Sequence, residues 1–532
     1  MKTKAISYFD TTLRDGTQGE NISFSSEDKL RIARKLDSLG IKYIEGGWPG
    51  SNPKDLDFFE RAKKERFNQA KIVAFGSTMR FGNAPSDDPN LLALLQAETS
   101  AVSLFGKSWT LHVHQALGIT LEENLILIRE SVAWLKAHNR EVIYDAEHFF
   151  DGYKANPEYA ISTLIAAEQA GADCLVLCDT NGGTLPSEIT QIVSQVASKT
   201  HQIMGIHAHN DGELAVANSL AAVQAGCEQV QGTINGYGER CGNANLCSII
   251  PNLQLKLGYS GIPEGNLTHL TKVSHMVAEL ANVSHFNQLP FVGKSAFAHK
   301  GGIHVSAVIK NPITYEHVSP DLVGNSRRVL LSDLSGQSNI RFKAQELQLD
   351  LDEHKDAIPE IVQTLKQKEH EGFVYEAAEA SLALLVRKIT QNESDVFDLK
   401  GFRMMIEKNE DTPIRSEATI RVNVNGITEH TAAEAMGPVH ALDQALRKAL
   451  VKFFPEIEEM QLSDYKVRVL NEKDATKARV RVLIDSTCNG HTWGTVGVSE
   501  NIIEASWQAL MDSFSYYFIH HYKHHYIVQE SA

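Results

Sequence analysis

Two histidines, His207 and His209, stand two residues apart in the run His207-Ala208-His209-Asn210-Asp211. On a strand that spacing turns both rings to the same side. Two imidazoles on one face, with a carboxylate nearby, suit a divalent metal. Asp15, in Asp10-Thr11-Thr12-Leu13-Arg14-Asp15-Gly16, is the best-placed carboxylate, and Asn243, in Gly238-Glu239-Arg240-Cys241-Gly242-Asn243-Ala244, adds a neutral oxygen. Such a set leaves coordination positions open for a substrate. Its histidines suit Zn, whereas oxygen-rich chelation by a substrate suits Mn or Mg. A lone His-x-His also fits a pair of hydrogen-bonded surface histidines, so position in the fold has to decide. Arg14 carries a permanent guanidinium charge that can stabilise an oxygen turning negative, or pair structurally with Asp10. Asp145 and Glu147 share one face of Tyr144-Asp145-Ala146-Glu147, either to hydrogen-bond a substrate or as a solvated rim. Thr180 can donate to a substrate carboxylate or cap the helix that follows it.

The surrounding pattern supplies the position. Eight β-rich runs alternate with helical ones: Lys4–Phe9, Lys42–Glu45, Lys71–Phe75, Ala101–Phe105, Glu141–Tyr144, Cys174–Cys178, Ile203–Ala208 and Gln229–Ile234. Helical periodicity follows in Ser25–Leu39, Leu121–Ala137, Pro157–Ala170 and Glu213–Ala225, with Gly40, Gly171 and Gly226 just past helix ends. Eight β/α units in roughly 255 residues predict a TIM (β/α)8 barrel over 1–258. An open doubly wound sheet is the rival, but the phosphate-binding glycine fingerprint after the first strand is absent. In a barrel the polar groups above fall at the C-terminal strand ends, where catalytic groups sit.

Residues 259–370 read as a mostly helical linker with a glycine cluster at Gly293–Gly302, and 371–532 as an α+β domain with longer strands. That last part repeats at an offset of 64: Asn425-Gly426-Ile427-Thr428 matches Asn489-Gly490-His491-Thr492, and Ala441, Gln444, Ala445 and Leu446 match Ala505, Gln508, Ala509 and Leu510. Each copy reads strand, Asn-Gly turn, loop, helix, which predicts a pseudo-twofold domain. A net charge of −15 argues against nucleic acid or an anionic membrane surface as the main partner. No apolar run approaches the ~18 residues of a membrane span. Met1–Ala5 leads into a strand without the apolar core of a signal peptide, and the six sparse cysteines read as reduced thiols. A cytoplasmic protein is expected.

Three motifs in combination, Asp10–Gly16, His207–Asp211 and Gly238–Ala244, resemble the signatures of the DRE-TIM metallolyases, a family that includes the 2-isopropylmalate, homocitrate and citramalate synthases. Glu45–Asp55, Tyr144–Gly152 and Ala296–His304 resemble the citramalate-forming branch most closely. The resemblance implies metal binding by Asp15, His207, His209 and Asn243, contact of Arg14 with the oxo-acid oxygen, and substrate contacts from Glu147 and Thr180. It implies that His304 and Tyr315 are offered by the linker region to the partner subunit's active site. The implied reaction condenses acetyl-CoA with pyruvate to (R)-citramalate and CoA, the first step of a pyruvate route to isoleucine. Condensation with 2-oxoisovalerate, towards leucine, is the alternative. A homodimer is implied, with isoleucine as feedback inhibitor bound by the repeated domain. A lyase running the chemistry backwards needs only the barrel, and an amino-acid sensor without catalysis does not need Arg14. One departure stands out: the family pattern has glycine where this chain has Glu213.

Overall fold

The computed structural model describes residues 4–330, 337–346, 351, 354–391, 397–408, 413–424, 426–470 and 478–522. Two compact units result: Met1–Phe297 with His317–Arg327, and Ala298–Glu316 with Arg328–Ala532. No described helix is long and apolar enough to cross a membrane.

The first unit is the eight-stranded barrel. Strands β1 (Ser7–Asp10), β2 (Tyr43–Gly47), β3 (Lys71–Ser77), β4 (Ala101–Lys107), β5 (Glu141–Glu147), β6 (Cys174–Asp179), β7 (Ile203–Ala208) and β8 (Gln229–Gly232) pair in chain order. All pairs are parallel, and β8 closes on β1 through Ser7↔Gln229 to Asp10↔Gly232. The strands alternate strictly between two apolar environments. Ile44, Val102, Val142, Leu175, Ile206 and Val230 face the surrounding helices. Phe9, Tyr43, Val73, Ile143 and Val176 form a separate cluster, the filled interior expected of such a barrel. Above that plug the same inward phase becomes polar, with Glu45, Ser103, Asp145, His207 and Gln231, all buried.

Helix α1 (Ser26–Leu39) shows how local sequence fixes an element. Ser25 Oγ accepts from the Asp28 amide while the Asp28 carboxylate accepts from the Ser25 amide. These reciprocal bonds satisfy two of the free N–H groups at the helix start. Gly40, at φ 106°, ends the helix. Lys29 on α1 is buried and donates from Nζ to Asp55 Oδ1 at 2.5 Å and to the Gly46 carbonyl at 2.9 Å. Asp55 lies in α2 (Pro53–Ala62), and its Oδ2 accepts from the Trp48 amide at 2.9 Å. This ion pair therefore sets the path of the chain as it leaves β2. Gly47 is obligatory there: its φ is 152°, and a Cβ would lie 2.4 Å from Asp55 Cγ.

In the second unit, β9 (Ala298–His299) pairs with β10 (Arg328–Val329), and His299 Nε2 lies 3.2 Å from Glu316 Oε1. The repeat predicted from sequence folds as two three-stranded antiparallel sheets: β11 (Asp398–Glu407), β12 (Arg415–Val424) and β13 (Ile427–Ala435), then β14 (Gln461–Val469), β15 (Val480–Cys488) and β16 (His491–Ser499). Helices Pro438–Leu450 and Ile502–Tyr517 follow the two sheets. Their buried Ala441, Leu442, Ala445 and Leu446, and Ala505, Ala509 and Leu510, share a core with Ile420, Val422, Val482 and Ile484. The stretch read as a loop after each Asn-Gly turn is instead a strand. Cross-strand pairing of Thr428 with Asn423 and of Thr492 with Thr487 begins at once. Asn425 itself lies outside the described residues. Of the six free cysteines, Cys241 alone is exposed.

Because Lys29 and Asp55 are both buried, losing one strands the other charge. Lys29→Met is expected to cost about 3–5 kcal/mol, read as a fall in the urea midpoint with an unchanged slope.

Candidate active site

Asp15 follows β1, His207 closes the inward phase of β7, and His209 lies just beyond that strand. Their ligand atoms lie within 4.8 Å of one another. His207 Nε2 is 3.5 Å from Asp15 Oδ2, and the two imidazole centroids are 5.2 Å apart. Asn243 joins them through an isolated antiparallel bridge to His209. Gly238 permits that approach, since a Cβ there would meet Asn243 Nδ2 at 2.1 Å. The histidines are thus not a surface pair.

The donor set fits a divalent ion. Asp15 Oδ1, His209 Nδ1 and Asn243 Oδ1 are buried without a hydrogen-bond partner among the described residues. Buried polar atoms are ordinarily satisfied, and what sets the Asp15 and His209 atoms apart from other unpaired ones in the barrel is that their residues, with His207, bring ligand atoms within 4.8 Å of one another, where a cation would satisfy them. Burial alone pushes Asp15 up, but Arg14, His207 and His209 outweigh it and hold the carboxyl at about 2. Burial, with His207 adding to it, brings His209 down to about 4. Both groups therefore stand in their ligating, deprotonated forms at neutral pH.

Arg14 does not pair with Asp10, the structural partner that the sequence allows. Its Nε donates to Glu45 Oε2 at 2.7 Å, its Nη1 lies 3.2 Å from Asp15 Oδ2, and its guanidinium carbon sits 3.8 Å from the Phe75 ring centre. Asp10 instead accepts from the Thr12 amide and hydroxyl, shaping the turn after β1. Glu45 is fully buried, and burial lifts its carboxyl to about 7 against the pull of Arg14.

Strand β5 runs on through Asp145 and Glu147, beyond the end that its apolar pattern suggests. Asp145 is buried rather than on a solvated rim: it accepts from Ser103 Oγ at 2.5 Å and Gln231 Nε2 at 3.0 Å. Glu147 is partly exposed and paired with Lys107. Thr180 is not a helix cap, for the next helix begins at Pro186. Thr180 Oγ1 accepts from the His148 amide at 2.9 Å, and its carbonyl accepts from Arg240 Nη2 at 2.6 Å.

Arg14, Asp15, Asp145, Glu147, Thr180, His207 and His209 line a cavity of about 190 Å³. Trp48, Phe75 and Phe105 form one wall: the two Phe rings stack at 5.3 Å, and Trp48 meets each edge-on at 5.6 Å. His304 and Tyr315 belong to the second unit, where their rings stack at 4.3 Å. Glu213 has φ 59°, the left-handed region that favours glycine, so the departure from the family pattern keeps the backbone shape glycine would give.

Sequence reasoning passed over Glu45, Ser103, Gln231 and the aromatic wall. For all but Trp48 the available signal was phase: Glu45, Phe75, Ser103, Phe105 and Gln231 each lie an even number of residues from an inward-facing position of their strands.

A family model described as HMGL-like matches residues 5–277. One described as a homocitrate synthase post-HMGL domain matches 291–372, and one described as a LeuA allosteric (dimerisation) domain matches 376–518. The chain belongs to the HMGL-like family and, within it, to the (R)-citramalate synthases. It is 57% identical over 510 residues to the (R)-citramalate synthase of Aquifex aeolicus, covering 96% of this chain and 97% of that one. The (R)-citramalate synthase of Geobacter sulfurreducens is 57% identical over 512 residues, with the same coverage of both chains. A probable 2-isopropylmalate synthase of Methanopyrus kandleri is 31% identical over 508 residues, 95% of this chain and 97% of that one.

Removing a ligand tests the donor set directly. His209→Ala is expected to weaken divalent-ion affinity by ~100-fold or more while the circular dichroism spectrum is retained. Elemental analysis of the dialysed protein, followed by re-addition of metal, reads the loss.

Proposed function

We propose that this chain condenses acetyl-CoA with pyruvate to give (R)-citramalate and CoA. The observation that carries the reading is Arg14, a guanidinium clamped by Glu45 and Phe75 against the Asp15–His207–His209 cluster in a small cavity. Relatives of that name over nearly the whole chain support it.

The residues divide the chemistry among them. Asp15, His207, His209 and Asn243 hold a divalent ion, which supplies Lewis acidity towards the ketone of the oxo acid. Arg14 points its remaining N–H groups at the same ketone oxygen. Its charge gains most when that oxygen becomes an alkoxide, so its contribution falls on the transition state. Thr180 Oγ1 already accepts from the His148 amide, which leaves its hydroxyl hydrogen free for the pyruvate carboxylate. Glu147, steadied by Lys107, borders the same space. In the homodimer His304, backed by Tyr315, is offered to the partner subunit's active site and there takes the proton from the methyl of acetyl-CoA. The enolate carbon then bonds to the ketone carbon, the alkoxide is protonated, and water cleaves the thioester, releasing CoA and making the reaction one-way.

The protein acts in this reading as a cytoplasmic homodimer. The barrel supplies the catalytic chemistry, the following segment to about 370 supplies His304 and Tyr315, and the repeated domain binds isoleucine as a feedback inhibitor of isoleucine formation.

Thiol release from acetyl-CoA, measured against pyruvate, 2-oxobutyrate and 2-oxoisovalerate with and without isoleucine or leucine, tests the assignment. Pyruvate is expected to lead 2-oxoisovalerate by ~100-fold or more in kcat/KM, with inhibition by isoleucine. A preference for 2-oxoisovalerate, with inhibition by leucine, would sink it. Arg14→Lys keeps the charge but loses the planar fork. It is expected to lower kcat by ~100-fold with a smaller change in the KM for pyruvate. A change confined to KM would show that Arg14 only binds.

A further inference from the structure

A line of four buried side chains crosses the barrel interior and ends on His207. Ser103 Oγ donates to Asp145 Oδ2 at 2.5 Å, and Gln231 Nε2 donates to Asp145 Oδ1 at 3.0 Å. Gln231 Oε1 lies 2.9 Å from His207 Nδ1. The residues come from β4, β5, β8 and β7, and Gln231 stands directly beside His207 in the β7–β8 register. Ser103 and Gln231 have no exposed surface, and Asp145 and His207 have almost none. Burying so many polar atoms is costly unless each finds a partner, and here they find one another.

The line has a direction. Asp145 accepts from Ser103 Oγ on one oxygen and from Gln231 Nε2 on the other, so Gln231 turns its NH₂ towards Asp145. That leaves its carbonyl oxygen facing His207, and an amide oxygen also only accepts. His207 Nδ1 therefore carries the hydrogen. In a neutral imidazole the other nitrogen, Nε2, is then a bare lone pair. It is this nitrogen that lies 3.5 Å from Asp15 Oδ2, on the side where the ligand atoms converge.

We propose that Gln231 is a positioning residue, oriented by Asp145 and Ser103, that fixes His207 in its Nδ1–H tautomer and so presents Nε2 to the divalent ion. The inference rests on the metal-site reading above. It also accounts for Asp145, whose two oxygens are both engaged by the protein and which acts through Gln231 rather than on substrate.

The test is calorimetric titration of Mn²⁺ alone into the metal-free full-length protein, wild type against Gln231→Met, Asp145→Asn and the double variant. Gln231→Met is expected to bind Mn²⁺ ~10–100-fold more weakly, the range typical of lost outer-shell partners. Asp145→Asn is expected to weaken binding by ~10-fold, because an asparagine no longer dictates which end of the glutamine amide faces it. The double variant is expected to bind no more weakly than Gln231→Met, since Asp145 acts through Gln231. Wild-type affinity in the folded single variants, or losses that multiply in the double variant, would overturn the inference while leaving the metal site intact. Absence of Mn²⁺ binding by the wild type would overturn the metal-site reading and this inference with it. Should Gln231→Met not fold, Asp145→Asn, nearly equal in volume, decides alone.

Discussion

Arg14 is a permanent charge taken out of water at the mouth of the barrel, and the arrangement around it follows from that burial. A guanidinium cannot neutralise itself by losing its proton, so the protein must surround it with acceptors. Glu45 takes one edge, Asp15 lies against another, and the Phe75 face covers the plane. Asp145 adds a third carboxyl to the same buried region. Burial pushes the Glu45 and Asp145 carboxyls up towards their neutral forms, while the Arg14 charge helps keep Asp15 ionised, the form in which it can hold a divalent ion with His207 and His209. The guanidinium, held by these groups, becomes rigid, and a rigid donor loses little freedom when an oxygen in front of it turns negative.

Holding this group still is work shared by elements far apart in the chain. Asp15 and Arg14 follow β1, Glu45 belongs to β2, Phe75 to β3, and the histidines come with β7. Parallel closure in chain order brings all of these strand ends to one rim. A second buried ion pair, Lys29 with Asp55, braces the chain after β2, where Trp48 joins the aromatic wall. Burial of charge is thus used twice with different results. Around Arg14 it leaves donors aimed into open space, whereas around Asp55 every bond closes on the protein itself.

Much of this was legible in the sequence because period and position carry it. The alternation of apolar residues located all eight strands, and the motifs after strands one, seven and eight named the converging side chains. What escaped depends on distance across the barrel, which no linear pattern states. Asp10 is nearer to Arg14 in sequence than Glu45, yet the turn after β1 engages Asp10 with Thr12. Ser103 and Gln231 look unremarkable within their strands, and their meaning arises only when β4, β5, β7 and β8 face one another. The strands after the two Asn-Gly turns were missed for another reason. In β13 most residues, such as Thr428, are exposed or half-buried and polar or small, while β16, though largely buried, interleaves Trp493, Val496 and Val498 with Gly494, Thr495 and Gly497, so neither strand alternates cleanly between apolar and polar.

The barrel interior is layered, and the layers divide stability from chemistry. Phe9, Tyr43, Val73, Ile143 and Val176 fill the lower part with apolar side chains. The next inward positions along several of the same strands, Glu45 above Tyr43 and Asp145 above Ile143, are polar. One pleat period therefore separates a residue whose loss opens a cavity from one whose loss strands a charge. The apolar layer excludes water from below, which strengthens every electrostatic contact in the layer above it. The same dryness makes an unpaired polar atom expensive there, so a cation bound at the unsatisfied atoms of Asp15, His209 and Asn243 recovers that cost. The plug that stabilises the barrel is therefore also what makes the polar layer above it so strongly disposed to take up a cation.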